Sequence, residues 1–165
     1  MSVQAISSPN ARVPTDVLKK VLESGELTQD LEKRLFELAS VAKTRSYSPY
    51  SKFRVGAAVL AKSGNIWLGC NVESASYGAT RCAEQTAFLK AVSDGDNRFI
   101  AVGVTTDTDA YISPCGICRQ FMVEWGKELL VYNFKPDGSF RKYKLKDLLP
   151  DSFGPDDLDR PREGI

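Results

Sequence analysis

The residues of this chain best suited to chemistry fall in two short stretches. In "TRCAEQTAF", residues 80–88, the thiol of Cys82 stands two positions before the carboxylate of Glu84, and Arg81 and Gln85 flank the trio. In "SPCGIC", residues 113–118, Cys115 and Cys118 lie three apart. The pattern predicts a helix start at each stretch. Free N–H groups and the partial positive charge of a helix N-terminus favour thiolates, and the three-residue spacing aims both thiols at one point. Three thiolates from two helix starts can converge on one cation, and zinc accepts them in tetrahedral geometry. Three protein ligands and a water make a catalytic zinc, whereas four protein ligands make a structural one. The fourth cysteine, Cys70, keeps the closed site open as an alternative, although it falls in a predicted strand and not in a second tight knuckle. Glu84 favours catalysis. It is close enough to a metal-bound water to take its proton and return it to a leaving group without binding the metal.

The chain has no histidine, which excludes Ser–His and Cys–His pairs and any histidine-ligated metal. An acid or base must then be a carboxylate, lysine, tyrosine or thiol. Lys plus Arg number 22 against 21 Asp plus Glu, a net charge of +1. That balance offers no basic footprint for a polynucleotide or an anionic membrane. One reservation is the basic segment "FRKYKLK" (140–146), read as a solvated edge strand. No apolar run approaches the roughly 18–20 residues that span a bilayer, and "MSVQAISSPNARVPTD" lacks the layout of a secretion signal. Cytoplasmic residence is the expectation, and clustered cysteines in a reducing compartment read as metal-binding or catalytic before they read as disulfides.

Positioning these groups requires a scaffold, and 165 residues suit one domain. Residues 1–13, rich in Ser, Pro and Asn, read as a mobile arm, 14–158 as a single domain and 159–165 as a C-terminal tail. A short helix over 15–24 stops near Gly25, and a longer one follows Thr28, where Leu31, Leu35, Leu38, Ala39 and Ala42 make one apolar face. "FRVGAAVLA" and "IWLGCNV", joined by "KSGN", form a hairpin with Phe53, Val55, Ala57 and Val59 on one face. A helix from Cys82 to about Val92, a buried strand "FIAVGVTT", a helix after "SPCGIC", a buried strand "LLVYNF", a short strand around "FRKYKL" and a helical turn at "KDLLP" complete the chain. The order ββαβαβ predicts a three-layer α/β/α domain on a mixed five-stranded sheet.

"SPYSKFRVGAAVL", "GCNVESASY", "CAEQTAF", "SPCGICRQF" and "LLPDSFGP" together resemble the free cytidine deaminases, of the short three-cysteine zinc type, over roughly residues 30–158. The resemblance implies zinc on Cys82, Cys115 and Cys118, with Glu84 as proton shuttle in hydrolysis of a cytosine amino group. It also implies that Asn71 and Glu73 hold the ribose hydroxyls, that Phe53 packs on the pyrimidine and that the Ala83 backbone contacts the base. Tyr77 and Phe153 match aromatics that complete a pocket shared between subunits, which implies a homotetramer acting on a nucleoside. In most three-cysteine members the residue after the glutamate is arginine, whose charge relieves three thiolates on one zinc. Here it is Gln85, a neutral donor: either the helix N-termini and Gln85 suffice, or another cation substitutes, for which Arg81 and Arg119 are the candidates.

Overall fold

Runs of small and β-branched residues, too apolar to leave either side in water, set the centre of the molecule. The computed structural model describes residues 10–162. The described elements run β1 (Ala11–Arg12), α1 (Thr15–Ser24), α2 (Gln29–Lys43), β2 (Val55–Ala61), β3 (Asn65–Cys70), α3 (Ala83–Ser93), β4 (Phe99–Thr106), α4 (Gly116–Val123), β5 (Leu130–Phe134), β6 (Phe140–Lys144), α5 (Leu145–Leu148) and α6 (Pro155–Leu158). A single 3-10 turn, Tyr77–Ala79, precedes α3. The strands form one sheet in the order β1-β3-β2-β4-β5-β6. β4 and β5 are parallel, as the helical crossover through α4 requires, and the other neighbours are antiparallel.

Helices cover both faces, as the three-layer reading expected. On one face α1 and α2 pack Leu18, Val21, Leu31, Leu35 and Ala39 against Ala58, Leu60, Ile66 and Tyr132. On the other, α3 and α4 pack Ala83, Ala87, Phe88, Cys118 and Met122 against Ala57, Val59, Trp67, Val102, Val104 and Val131. Phe88 of α3 stacks on Trp125 just beyond α4 with centroids 4.8 Å apart, and Phe99 meets Phe88 edge-on at 4.7 Å. This aromatic group ties the two helices that carry the thiols to each other and to β4.

The sheet has six described strands where the pattern predicted five. The extra one is β1, whose two residues pair with Ile66 and Asn65 of β3. Within the expected arm, residues 1–9 lie outside the described residues. The remainder is held: Val13 is 4% exposed, and Asn10 Oδ1 accepts from the Leu68 N–H at 2.9 Å. Two paired residues are too few to show a period, so only the partner strand reveals them. In β2 the predicted alternation holds for Val55, Ala57 and Val59, but the strand begins at Val55 and leaves Phe53 outside it.

Candidate active site

Cys82 is the N-cap of α3, so its sulfur lies at the helix's positive end. A side chain of the same turn holds it there: Gln85 Oε1 accepts from the Cys82 N–H at 3.3 Å. The helix itself is seated by Gly69 of β3. A Cβ on Gly69 would lie 2.3 Å from the Ala83 carbonyl oxygen and 2.4 Å from the Ala87 nitrogen, so only glycine admits α3 this closely. The residue before Cys82 is joined to the segment that follows β3. Arg81 and Val72 exchange backbone hydrogen bonds of 3.0 and 2.9 Å, which sets "CNVES" beside "TRCAE".

Cys115 is the N-cap of α4 and Cys118 lies within its first turn. The Sγ atoms of Cys82, Cys115 and Cys118 all lie within 4.8 Å of one another, and Cys82 and Cys115 are 3.9 Å apart. Zinc–sulfur bonds of 2.3 Å in a tetrahedron put sulfurs about 3.8 Å apart, so the donor set fits a zinc ion. The polar contact with Cys118 lowers the Cys82 pKa to about 6 against its burial, with Cys115 and the Arg81 charge adding in the same direction. Cys118 moves upward, because it is the proton donor to Cys82 and is itself buried. Cys70 stands apart from the three. Its Sγ donates to the Arg45 carbonyl at 3.2 Å, so the closed four-cysteine site is not formed.

Glu84 is 4% exposed in the first turn of α3. Burial pushes its carboxyl up to about 7, reinforced by the Cys82 charge and opposed by its own backbone N–H and by Cys118. A buried carboxyl near neutrality, next to a thiol cluster, can both take and return a proton.

The remaining expected residues divide into two groups. Asn71, Glu73, Phe53 and Tyr77 belong to the segments around the α3 start. The Asn71 side chain is buried and engaged. Its Oδ1 accepts from Ser46 Oγ and from the Val55 N–H (2.9 Å), and its Nδ2 donates to the Phe53 carbonyl (2.8 Å). Asn71 thus holds the segment that presents Phe53, which is 39% exposed. Glu73 accepts from the Tyr50 and Ser51 N–H groups at 3.0 and 3.1 Å and from Ser51 Oγ. These bonds, Ser51 Oγ foremost, hold its carboxyl below the usual range. Tyr50, Ser51, Glu73, Tyr77 and Thr80 line a cavity of about 350 Å³, in which Tyr50 and Tyr77 approach to 5.6 Å between ring centroids. Tyr50, Ser51 and Thr80 escaped the sequence reading, although "SPYSK" adjoins Phe53 and carries the first two. Larger clefts of about 560 and 700 Å³ beside α1 contain none of these residues.

Ala83 is buried at the first position of α3. Phe153 lies elsewhere, beside Lys127, Asp151, Ser152, Asp157 and Arg160, and is 58% exposed. One chain does not bring it to Tyr77, which is 73% exposed. Of the candidate cations, Arg81 adjoins Cys82 and donates to the Ala79 and Thr80 carbonyls. Arg119 is bonded instead to Pro114 O, Leu148 O and Ser113 Oγ.

A mixed sheet between helical layers, with a thiol cluster and a buried carboxyl at two helix starts, defines an α/β protein built around a metal-type acid–base site. Residues 29–133 match the family model described as the cytidine and deoxycytidylate deaminase zinc-binding region. A cytidine deaminase of Sporosarcina psychrophila is 45% identical over 130 residues, covering 78% of this chain and 95% of that protein. A probable cytidine deaminase of Dictyostelium discoideum is 46% identical over 131 residues, covering 79% and 88%. The crystal structure of cytidine deaminase from Burkholderia pseudomallei superposes with a TM-score of 0.71 at 43% identity, covering 77% of this chain and all of that one. The chain belongs to the cytidine and deoxycytidylate deaminase family.

Proposed function

We propose that the protein hydrolyses the 4-amino group of cytidine and 2′-deoxycytidine, with zinc held by Cys82, Cys115 and Cys118, as a step of pyrimidine salvage in the cytoplasm. The observation that carries this reading is a buried near-neutral carboxyl, Glu84, in the same helix turn as one of three convergent thiols. When bound, zinc would supply Lewis acidity that lowers the pKa of a water towards neutrality. Glu84 takes the proton of the attacking water and delivers it to N3 of the ring. It then assists protonation of the departing amino group. A C–O bond forms at C4 and the C4–N bond breaks, so cytidine and water become uridine and ammonia. Glu73, fixed by Tyr50 and Ser51, presents a carboxylate for the ribose hydroxyls, with Asn71 beside it. Phe53 offers an exposed ring for the pyrimidine.

Supporting a nucleoside over a polynucleotide, Lys142 pairs with Glu26, and Lys144 and Lys146 pair with Glu128 at 2.8 and 2.7 Å. Arg141 covers the Tyr111 ring. The charge of the basic segment is therefore partly offset by two carboxylates, Glu26 and Glu128. Among the described residues no helix is long and apolar enough to cross a membrane. Exposed Tyr47, Tyr50, Phe53, Val72, Tyr77 and Ile117 support an assembly that covers this face, which we read as a homotetramer sharing its sites, with Phe153 reaching a neighbour's pocket. Cytidine, deoxycytidine, cytosine and a cytosine-containing oligonucleotide, each assayed separately for ammonia release, test the reading. The first two are expected to turn over, and turnover of the oligonucleotide alone would overturn it. Light scattering of the eluted protein tests the assembly, and a monomer would remove the shared-site part.

A further inference from the structure

The two helix starts that carry the thiols are built differently. Cys82 is fixed from within α3 by the bond from its N–H to Gln85 Oε1. Cys115 has no bond of this kind, is exposed, and ends a segment without regular structure. From Tyr111 to Cys115 no backbone N–H is bonded to another backbone group. Tyr111 anchors the far end, where its hydroxyl donates to Ser139 Oγ at 3.4 Å and Arg141 covers its ring, and one side chain, Arg119, holds the end next to Cys115. Arg119 Nε donates to the Pro114 carbonyl at 2.8 Å, its NH2 group donates to Ser113 Oγ at 2.9 Å, and its NH1 group donates to the Leu148 carbonyl at 2.8 Å. The Pro114 carbonyl belongs to the peptide that leads into Cys115. The Leu148 carbonyl ends α5, whose Leu145 is buried in the core beneath. A guanidinium has donors in a planar fork that can satisfy three acceptors at once, and an ammonium or an amide cannot reproduce that geometry.

We propose that Arg119 is a positioning residue for Cys115: its fork clamps Ser113 and Pro114 to the end of α5 and thereby aims the Cys115 sulfur at the metal. This inference rests on the reading of the three thiols as a zinc site. It replaces the sequence expectation that Arg119 acts by lending charge to the sulfurs. The neighbouring Gln120 supports the same seam from the next position, because its Nε2 donates to the Phe153 carbonyl at 2.9 Å. Lys127 adds a 3.0 Å bond to the Ser152 carbonyl. Residues 148–153 are thus strapped to α4 by Arg119 and Gln120 and to the loop beyond it by Lys127.

Three variants separate hydrogen bonding from charge. Arg119→Lys keeps the charge and loses the fork, Arg119→Gln loses both, and Ser113→Ala removes one acceptor with no change in charge. Zinc release from the purified protein into an excess of colorimetric chelator is the first readout, and the sulfur-to-cobalt charge-transfer band of the cobalt-substituted protein is the second. We expect Arg119→Lys and Arg119→Gln to release zinc about 10- to 100-fold faster and to shift that band alike. Ser113→Ala should release zinc a few-fold faster. With cytidine, kcat should fall while KM holds, because the pocket residues are untouched. Arg119→Lys behaving as the parent while Arg119→Gln does not would overturn the proposal in favour of charge, and parental behaviour of both would also overturn it. If neither Arg119 variant folds, Ser113→Ala decides: faster release supports the brace and unchanged release refutes it. Zinc release does not require turnover, so a failed brace and a failed deaminase reading give different results. A parent protein that holds no zinc would sink the latter.

Discussion

The starts of α3 and α4 hold their thiols by opposite means. At α3 the thiol and its support are neighbours in sequence: Cys82, Glu84 and Gln85 occupy one turn, and the bond from the Cys82 N–H to Gln85 closes within four residues. At α4 the proposed support of Cys115 is a side chain four positions on, which reaches a carbonyl 33 positions on, through Arg119 and Leu148. A thiol supported within its own turn should tolerate distant change, and a braced one should not. The difference also bears on the carboxyl proposed as the acid–base group. Glu84 sits on the self-supporting helix, inside the core, where burial can move its proton affinity.

The largest expected effect removes only chemistry from the self-supporting side. Glu84→Gln should lower kcat for cytidine by about 10²- to 10⁴-fold while zinc content, measured by atomic absorption, stays at the parent's level. Loss of zinc together with activity would mean that Glu84 supports the site and does not only move protons. The same variant tests the electrostatics of the α3 start. A carboxyl raised from 4.5 to about 7 by folding favours the folded state at low pH and opposes it above neutrality. Zinc-stripped Glu84→Gln should therefore be more stable than the stripped parent by about 3 kcal/mol at pH 8. The gap should close as the pH falls below the unfolded value, read as denaturation midpoints across the range. A constant gap would remove burial as the cause.

Gly69→Ala attacks the seat of α3 from β3. With backbone atoms 2.3 and 2.4 Å from the new methyl, the helix must move, and we expect a loss of about 2–3 kcal/mol in urea unfolding with lower zinc retention. Parental stability would show that the helix has slack. Gln85→Ala removes the acceptor for the Cys82 N–H and should cost about 1 kcal/mol, with a smaller effect on zinc release than either Arg119 variant. The reverse ranking would invert the contrast between the two helix starts. The smallest effect belongs to Arg81→Gln. An exposed charge is screened by solvent and salt, so zinc affinity should fall only about 2- to 3-fold, and the difference should fade in 0.5–1 M salt. A salt-insensitive loss would indicate that Arg81 acts through its bonds to Ala79 and Thr80.

Gln85 illustrates how one residue reads differently in one and three dimensions. As a letter it is a missing arginine. In the folded chain it is the acceptor for the Cys82 N–H, and an arginine side chain has no acceptor to offer. Cys70 is a parallel case. Its distance along the chain from the other cysteines argued weakly against a fourth ligand, and its hydrogen bond to Arg45 removes it from the group.

The sequence by itself determined the kinds of elements, the side chains that can bind a metal and the carboxyl beside them. Apolar periodicity, helix-start chemistry and cysteine spacing are all local properties, and they persist whatever the chain packs against. Only the tertiary structure decided how those groups are held. The close approach of α3 to Gly69, the Val72–Arg81 bridge, the pairing of Ala11–Arg12 with β3 and the reach of Arg119 to Leu148 each join segments that no local pattern pairs. The physical reason is the same for all four: backbone carbonyls and N–H groups are chemically alike at every position, so which of them a side chain or strand will meet is fixed by packing and not by composition.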